Sequence, residues 1–237
     1  MDPPPTRTPI ARQGVVDALV ARLRADVLAE RYPPGSYLPP ERDLAAGYGV
    51  TRTSLKHALV RLVEAGLLET RHGIGTRVRD FRRDGGAGLL PYLVAAGLRH
   101  RGDAGWLAEV LQARREIGAL VAARAARHAT GEQRARLRAL VAEVRAAGSA
   151  EAARRAEWAA HRILAAACAN RVYALLVNSL LRAYEEVPHL FAAPFADPVA
   201  VADRLARLVE AVCAGDGVAA SRAAETYYAE TERLMPA

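Results

Sequence analysis

The sequence predicts a mostly α-helical protein. An N-terminal winged helix-turn-helix, three helices plus a small β-hairpin wing, is followed by an all-α helical bundle. Three observations carry this prediction. The first stretch reads in the order helix, helix, helix, hairpin. A charged and then glycine-rich segment, "FRRDGGAG" at 81–88, follows it. Beyond that, residues 89–237 are almost continuous amphipathic helical pattern with no convincing strand. The expected organisation is a disordered Pro-rich tail over 1–10, a winged helix over 11–80, a linker over 81–88 and a helical unit over 89–237.

The elements follow from the residues in order. Val16, Leu19, Val20, Leu23 and Val27 fall at helical spacing and predict a first helix over about 14 to 30. "RYPPGSYLPP" ends it, because proline fixes φ and removes a backbone donor. The short helix "PERDLAAGY" begins with Pro40 in its first turn and with Glu41 and Asp43 near its positive end. Gly47 and Gly49 close it. Thr51 is a good N-cap for a third helix, whose apolar stripe is Leu55, Ala58, Leu59, Leu62 and Val63. Gly66 stops that helix, and "LLET" and "TRVRD" read as two short strands joined by "RHGIG". In residues 89–237 the helical pattern breaks near 101–105, 129–131, 147–149, 192–198 and 214–217, which gives about six or seven helices.

Composition narrows the function classes. The net charge is +7, which favours a nucleic-acid partner. Lys56 is the only lysine among many arginines, so genome composition contributes to that excess. The location of the charge is more telling. Residues 51–79 carry Arg52, Lys56, Arg61, Arg71, Arg77 and Arg79 against Glu64 and Glu69 alone. No apolar run is long enough to span a membrane, and no secretory signal is read at the N-terminus, so a cytoplasmic protein is expected. Cys168 and Cys213 sit in apolar helical context and read as buried reduced thiols. No Ser-His-Asp spacing, Gly-rich phosphate loop or Cys/His metal pattern is present, so neither an enzyme nor a cofactor is expected.

A helix-turn-helix lays its second helix in the DNA major groove. Here that is the helix starting at Arg52. Arg52, Thr53 and Lys56 lie opposite its apolar stripe, near the N-terminal end. Arginine matches guanine O6 and N7 through two parallel hydrogen bonds. Thr51, Thr53 and Ser54 suit phosphate oxygens. The hairpin tip, Arg71-His72-Gly73, can enter the adjacent minor groove, where glycine lets the backbone come close. The competing reading is a solvated basic helix followed by an ordinary hairpin. The full order of elements with clustered basic residues favours double-stranded DNA.

The stretch "RYPPGSYLPPERDLAAGYGVTRTSLKHALVRLVEAGLLETRHGIGTRV" resembles the winged helix of GntR-type bacterial regulators. The resemblance covers about residues 14–80 and implies Arg42 and Arg52 as principal base readers. It further implies Thr51, Thr53, Ser54 and Lys56 as phosphate or neighbouring-base anchors, and His72 and Gly73 as the wing tip. It also implies a homodimer on an operator with inverted half-sites, with TGG and CCA arms as a first guess.

The helical half resembles the FadR-like branch of that family, whose C-terminal bundles sense small molecules. Its commonest type holds a metal with an acid four residues before a histidine and two later histidines. Glu157 and His161 match the first positions, but Leu205 and Tyr227 stand where the later ligands belong, and no histidine lies beyond His189. No metal is therefore expected, and Glu157 with His161 reads as a polar pair lining or capping a metal-free cavity. "ANRVYALLVNSLLRAYEEVPHLFAAPFADP" and "GDGVAASRAAETYYAETERL" resemble the fatty-acid-responsive members of the branch. That implies an effector site of Arg114, His161, Tyr173, Tyr184, Phe191, Tyr227 and Thr231, with a long-chain acyl-CoA as effector. The alternative is a small organic acid, with or without metal. Read without the resemblance, aromatics at such helical positions are more often core than ligand contacts, and Arg114 reads equally as an ion-pair partner of Glu116 or another acid.

Overall fold

In the computed structural model the described residues are 12–97, 104–185 and 188–235. The tail expected over 1–10 lies outside them. The chain divides into two compact units, one ending at Leu89 and one beginning at Leu90.

The first unit contains α1 (Arg12–Leu28), α2 (Glu41–Gly47), α3 (Arg52–Glu64), β1 (Leu68–Arg71), β2 (Gly75–Val78) and the single-turn α4 (Phe81–Asp84). Its core is the stripe the spacing predicts: Leu19, Val20, Leu23 and Val27 of α1 meet Leu55, Ala58, Leu59 and Leu62 of α3, with Leu44 of α2 also buried. Val16 and Val63, at the ends of the stripes, stay half-buried. Thr51 caps α3 by accepting a hydrogen bond from the Ser54 amide at 3.1 Å. Asp17 of α1 pairs with Arg61 of α3. At the end of α2 the Tyr48 hydroxyl donates to buried Asp26, which also pairs with Arg31.

The wing is an antiparallel pair in the register Leu68↔Val78, Glu69↔Arg77, Thr70↔Thr76 and Arg71↔Gly75. A third segment braces it. Tyr37 bridges to Arg77, the Leu38 amide donates to the Thr76 carbonyl at 2.9 Å, and the Gly35 amide donates to that of Val78 at 2.9 Å. The segment expected as a plain linker begins as a helical turn instead. Asp80 accepts from the Arg82 amide at 3.1 Å, and Phe81 is buried, so the chain is anchored there.

The second unit holds α5 (Leu90–Gly97), α6 (Ala104–His128), α7 (Gly131–Arg145), α8 (Ala150–Ala167), α9 (Arg171–Glu185), α10 (Pro198–Ala214) and α11 (Gly217–Arg233). These helices enclose one apolar core that includes Leu137, Leu140, Leu164, Leu205, Leu208 and Val212. The predicted breaks carry strong caps. Thr130 and Gln133 form a reciprocal capping box, and Asp197 and Asp216 each accept two amide hydrogen bonds at a helix start. The turn between α8 and α9 was not anticipated, because apolar residues continue through it. Ala169 takes φ of 54° there, and the Asn170 side chain accepts from the Val172 amide at 3.0 Å. Both cysteines are buried and free.

Candidate functional site

The first unit presents its functional side chains outward. Arg52, Thr53 and Lys56 are exposed near the N-terminal end of α3. Helical pitch turns Thr53 away from the buried Leu55, Ala58 and Leu59 and puts Lys56 at the flank of that stripe, whereas Arg52 shares the side of Leu55 and Leu59 and is exposed at the first position of the helix. Thr51 and Ser54 already serve the fold, since their hydroxyls lie 3.0 Å apart and Thr51 caps the helix. Arg42 on α2 is 79 % exposed at its side chain and engages Asp43 through Nε at 3.0 Å, leaving its outer edge to solvent. His72 and Gly73 are exposed at the wing tip, where Gly73 and Gly75 take φ of 75° and 137°. A side chain with a β-carbon rarely adopts those values, so glycine is what permits this tight tip.

The second unit hides its polar groups. Arg114 of α6 is 6 % exposed and lines a small cavity with Ile117, Val121, Trp158, Leu180 and Tyr184. Its guanidinium carbon lies 4.6 Å from the ring centre of Tyr228 and 5.2 Å from that of Tyr184. Cation–π contact thus takes the place of the ion pair with Glu116, whose carboxylate accepts from Gln112 at 2.9 Å. One arginine nitrogen, Nη1, is buried without a hydrogen-bond partner among the described residues. Burial opposes the guanidinium charge, but the surrounding tyrosine hydroxyls and Glu157 outweigh it and keep the group firmly protonated.

Beside it runs a hydrogen-bonded chain. His161 Nε2 donates to Glu157 Oε1 at 2.6 Å. A carboxylate can only accept, so in the neutral ring Nδ1 accepts from the Tyr228 hydroxyl at 3.2 Å. Tyr227 donates its hydroxyl to the same Glu157 oxygen. Burial alone would raise the Glu157 carboxyl, but His161, the Tyr227 hydroxyl and Arg114 outweigh it and hold that group below its ordinary range. Burial pushes the Tyr184 phenol up to about 12 and raises Tyr227 and Tyr228 as well, so all three stay protonated donors.

These donors do not fit a metal ion. Glu157 and His161 are spent on each other and on the two tyrosines, and Leu205 is fully buried in the core. No group of three or more His, Cys, Asp or Glu that could hold a metal occurs among the described residues.

The predicted effector residues do not all converge. Arg114, His161 and Tyr184 line the cavity. Tyr227 and Thr231 are buried but absent from its lining. Tyr227 is bonded to Glu157, and Thr231 donates to the Tyr227 carbonyl of its own helix at 2.8 Å. Tyr173 is half-buried with Arg124 6.0 Å from its ring and does not line the cavity. The side chain of Phe191 lies outside the described residues. Sequence reasoning missed Tyr228 and Gly118. A β-carbon at Gly118 would fall 2.0 Å from Tyr228 Cε2, so the ring lies directly on the α6 backbone. The available signals were the adjacent tyrosines in "ETYYAE" and a glycine inside a long helix.

Two family models match: "Bacterial regulatory proteins, gntR family" over residues 16–78 and "FCD domain" over 109–230. An HTH-type transcriptional regulator of Mycobacterium tuberculosis, Rv0494, is 37 % identical over 92 % of this chain and 88 % of its own length. The fatty acid metabolism regulator protein of Edwardsiella ictaluri is 37 % identical over 72 % of this chain and 68 % of its own. The solved structure of Lar, which controls expression of the Listeria monocytogenes agr system, covers 97 % of this chain and 98 % of that one. Its TM-score is 0.58 at 16 % identity, a likeness of fold alone.

A winged helix with outward basic side chains, followed by a helical domain with a mostly apolar internal cavity that holds a buried arginine, defines the class: a DNA-binding transcription regulator with an effector domain, not an enzyme. The chain belongs to the GntR family, in the FadR-like group that carries an FCD domain. No helix among the described residues is long and apolar enough to cross a membrane.

Proposed function

We propose that this protein is a cytoplasmic homodimeric regulator whose helical domain binds a long-chain acyl-CoA and thereby changes its affinity for an operator with inverted half-sites. In this reading Arg42 and Arg52 read bases. Thr53 and Lys56 hold phosphates or neighbouring bases, joined by Thr51 and Ser54 where capping leaves their hydroxyls room. His72 and Gly73 enter the minor groove. Arg114, His161 and Tyr184 face the effector, and Tyr227 and Thr231 support them from behind.

The observation that carries the effector reading is Arg114 itself: a buried cation with an unmet donor, set in a cavity otherwise lined largely by Ile117, Val121, Val177, Leu180 and Leu181. An unmet buried donor is costly unless a ligand or water satisfies it. A thioester or carboxylate oxygen meets that donor, and an acyl chain meets the apolar walls. Relatives described as fatty acid metabolism regulators support the same choice.

The free volume of the cavity is about 30 Å³, room for little more than water. A long chain therefore enters only if the walls part. Such an opening links the ligand to operator affinity because the ligand then binds the two states unequally. The same small volume favours a second reading, a short carboxylic acid seated on Arg114, which needs far less opening than an acyl chain.

Fluorescence anisotropy on an operator selected from random duplexes separates the two, at fixed salt because phosphate contacts make affinity salt-dependent. Oleoyl-CoA is expected to shift operator affinity, while malonate is not. The reverse result establishes the organic-acid reading, and an operator indifferent to both removes Arg114 as an effector contact.

A further inference from the structure

We propose that Ile74, at the tip of the wing, packs on the floor of the DNA minor groove and makes the protein discriminate against guanine in the base pairs beneath it. The proposal rests on the reading that the wing enters that groove.

Ile74 is 68 % exposed, the highest exposure among the large apolar side chains described. An isoleucine left in water on a tight turn gains nothing for the fold, since burial is what makes apolar surface stabilising. Its position is defined rather than loose. Its amide donates to the Arg71 carbonyl at 3.0 Å, closing the turn, and glycines with positive φ stand on both sides. The hairpin beneath is held by the Tyr37 bridge and the Leu38–Thr76 hydrogen bond. Tyr37 also stands close under the tip, since a β-carbon at Gly75 would lie 3.7 Å from its ring.

The surroundings identify the partner. Arg71, His72 and Arg77 flank the tip, and Glu69, the acid on the hairpin, is paired with Arg71 at 3.1 Å. An apolar point flanked by two arginines and a histidine matches a groove walled by phosphates whose floor is bases. Apolar side chains are used as wedges in the minor groove. On that floor A·T pairs show acceptors alone, whereas G·C adds the guanine 2-amino group. That amino group stands up from the floor. Isoleucine can neither accept its hydrogen bond nor lie flat over it, so burying Ile74 there leaves a donor unmet.

The test uses the full chain and duplexes selected from a random pool. At each enriched pair flanking a half-site, A·T is replaced by G·C and by inosine·C, which matches G·C in the major groove but lacks the 2-amino group. Wild-type protein is expected to bind the G·C duplex about tenfold more weakly than A·T at one such pair, a single-mismatch effect. Inosine·C is expected to restore binding to within about twofold of A·T. Ile74→Ser, checked for an unchanged melting temperature, is expected to bind all three alike. Equal wild-type binding to A·T and G·C at every flanking pair overturns the proposal. Discrimination that survives in Ile74→Ser, or inosine behaving as guanine does, overturns it too. Selection that enriches no sequence at all removes the DNA-binding reading and this proposal together.

Discussion

Arg52 and Arg114 show how differently one side chain is used in the two units. Arg52 is exposed on α3 and stands ready for an external partner. Arg114 is 6 % exposed, stacked between two tyrosine rings and electrostatically tied to Glu157. On the proposed reading, removing the first takes a contact from the DNA and nothing from the fold. Removing the partners of the second strands a charge in the interior. The comparison teaches that in this protein an exposed functional residue is separable from stability, while a buried one is not.

The largest expected effect comes from breaking the buried side. Glu157→Ala leaves His161 and Tyr227 without their shared acceptor and Arg114 without a neighbouring negative charge. A loss of about 3–5 kcal/mol is expected from breaking such a buried charged network, read as the urea midpoint of the full chain. A loss under about 1 kcal/mol would mean that the cluster does not hold the sensor domain. The same carboxyl sets an acid limb. Its folded-state pKa is depressed, so its contribution is complete above the ordinary glutamate value of about 4.3 and is lost as pH falls toward the lower folded value. Glu157→Gln should therefore flatten the stability curve on the acid side; an unchanged acid limb would assign it to other carboxylates.

Next comes the exposed side. Arg52→Ala is expected to weaken operator binding by about 1–3 kcal/mol, the worth of one bidentate base contact. Its urea midpoint should match wild type. A shifted midpoint with unchanged operator affinity would erase the contrast between the two arginines.

The smallest effect belongs to a residue that straddles both roles. Thr51 caps α3 and sits at the end that the proposed reading turns toward DNA. Thr51→Ala should cost about 1 kcal/mol of stability as a lost N-cap, together with a modest loss of operator affinity. Thr51→Asp would keep the cap and place a negative charge toward phosphate, so stability should hold while binding falls. Equal binding by the two variants would show that Thr51 acts through the cap alone.

The sequence by itself determined the winged helix nearly completely. The stripe Leu55, Ala58, Leu59 and Leu62 fixes which face of α3 is buried, the pitch of the helix then turns Thr53 outside, and Arg52 is left exposed by standing at the first position of the helix. Thr51 starts that helix and glycines shape the wing, both by chemistry acting within a few residues. Most breaks between helices of the second unit were legible for the same reason. The internal cavity was not. Arg114, His161 and Tyr228 meet across three helices, and no local period relates positions so far apart in the chain. Only tertiary packing decided that Arg114 stacks on tyrosines rather than pairing with Glu116, that Tyr173 turns away from the cavity, and that Gly118 clears the backbone for Tyr228. Spacing along a helix follows from covalent geometry, whereas a contact between helices exists only once the whole core has closed around it.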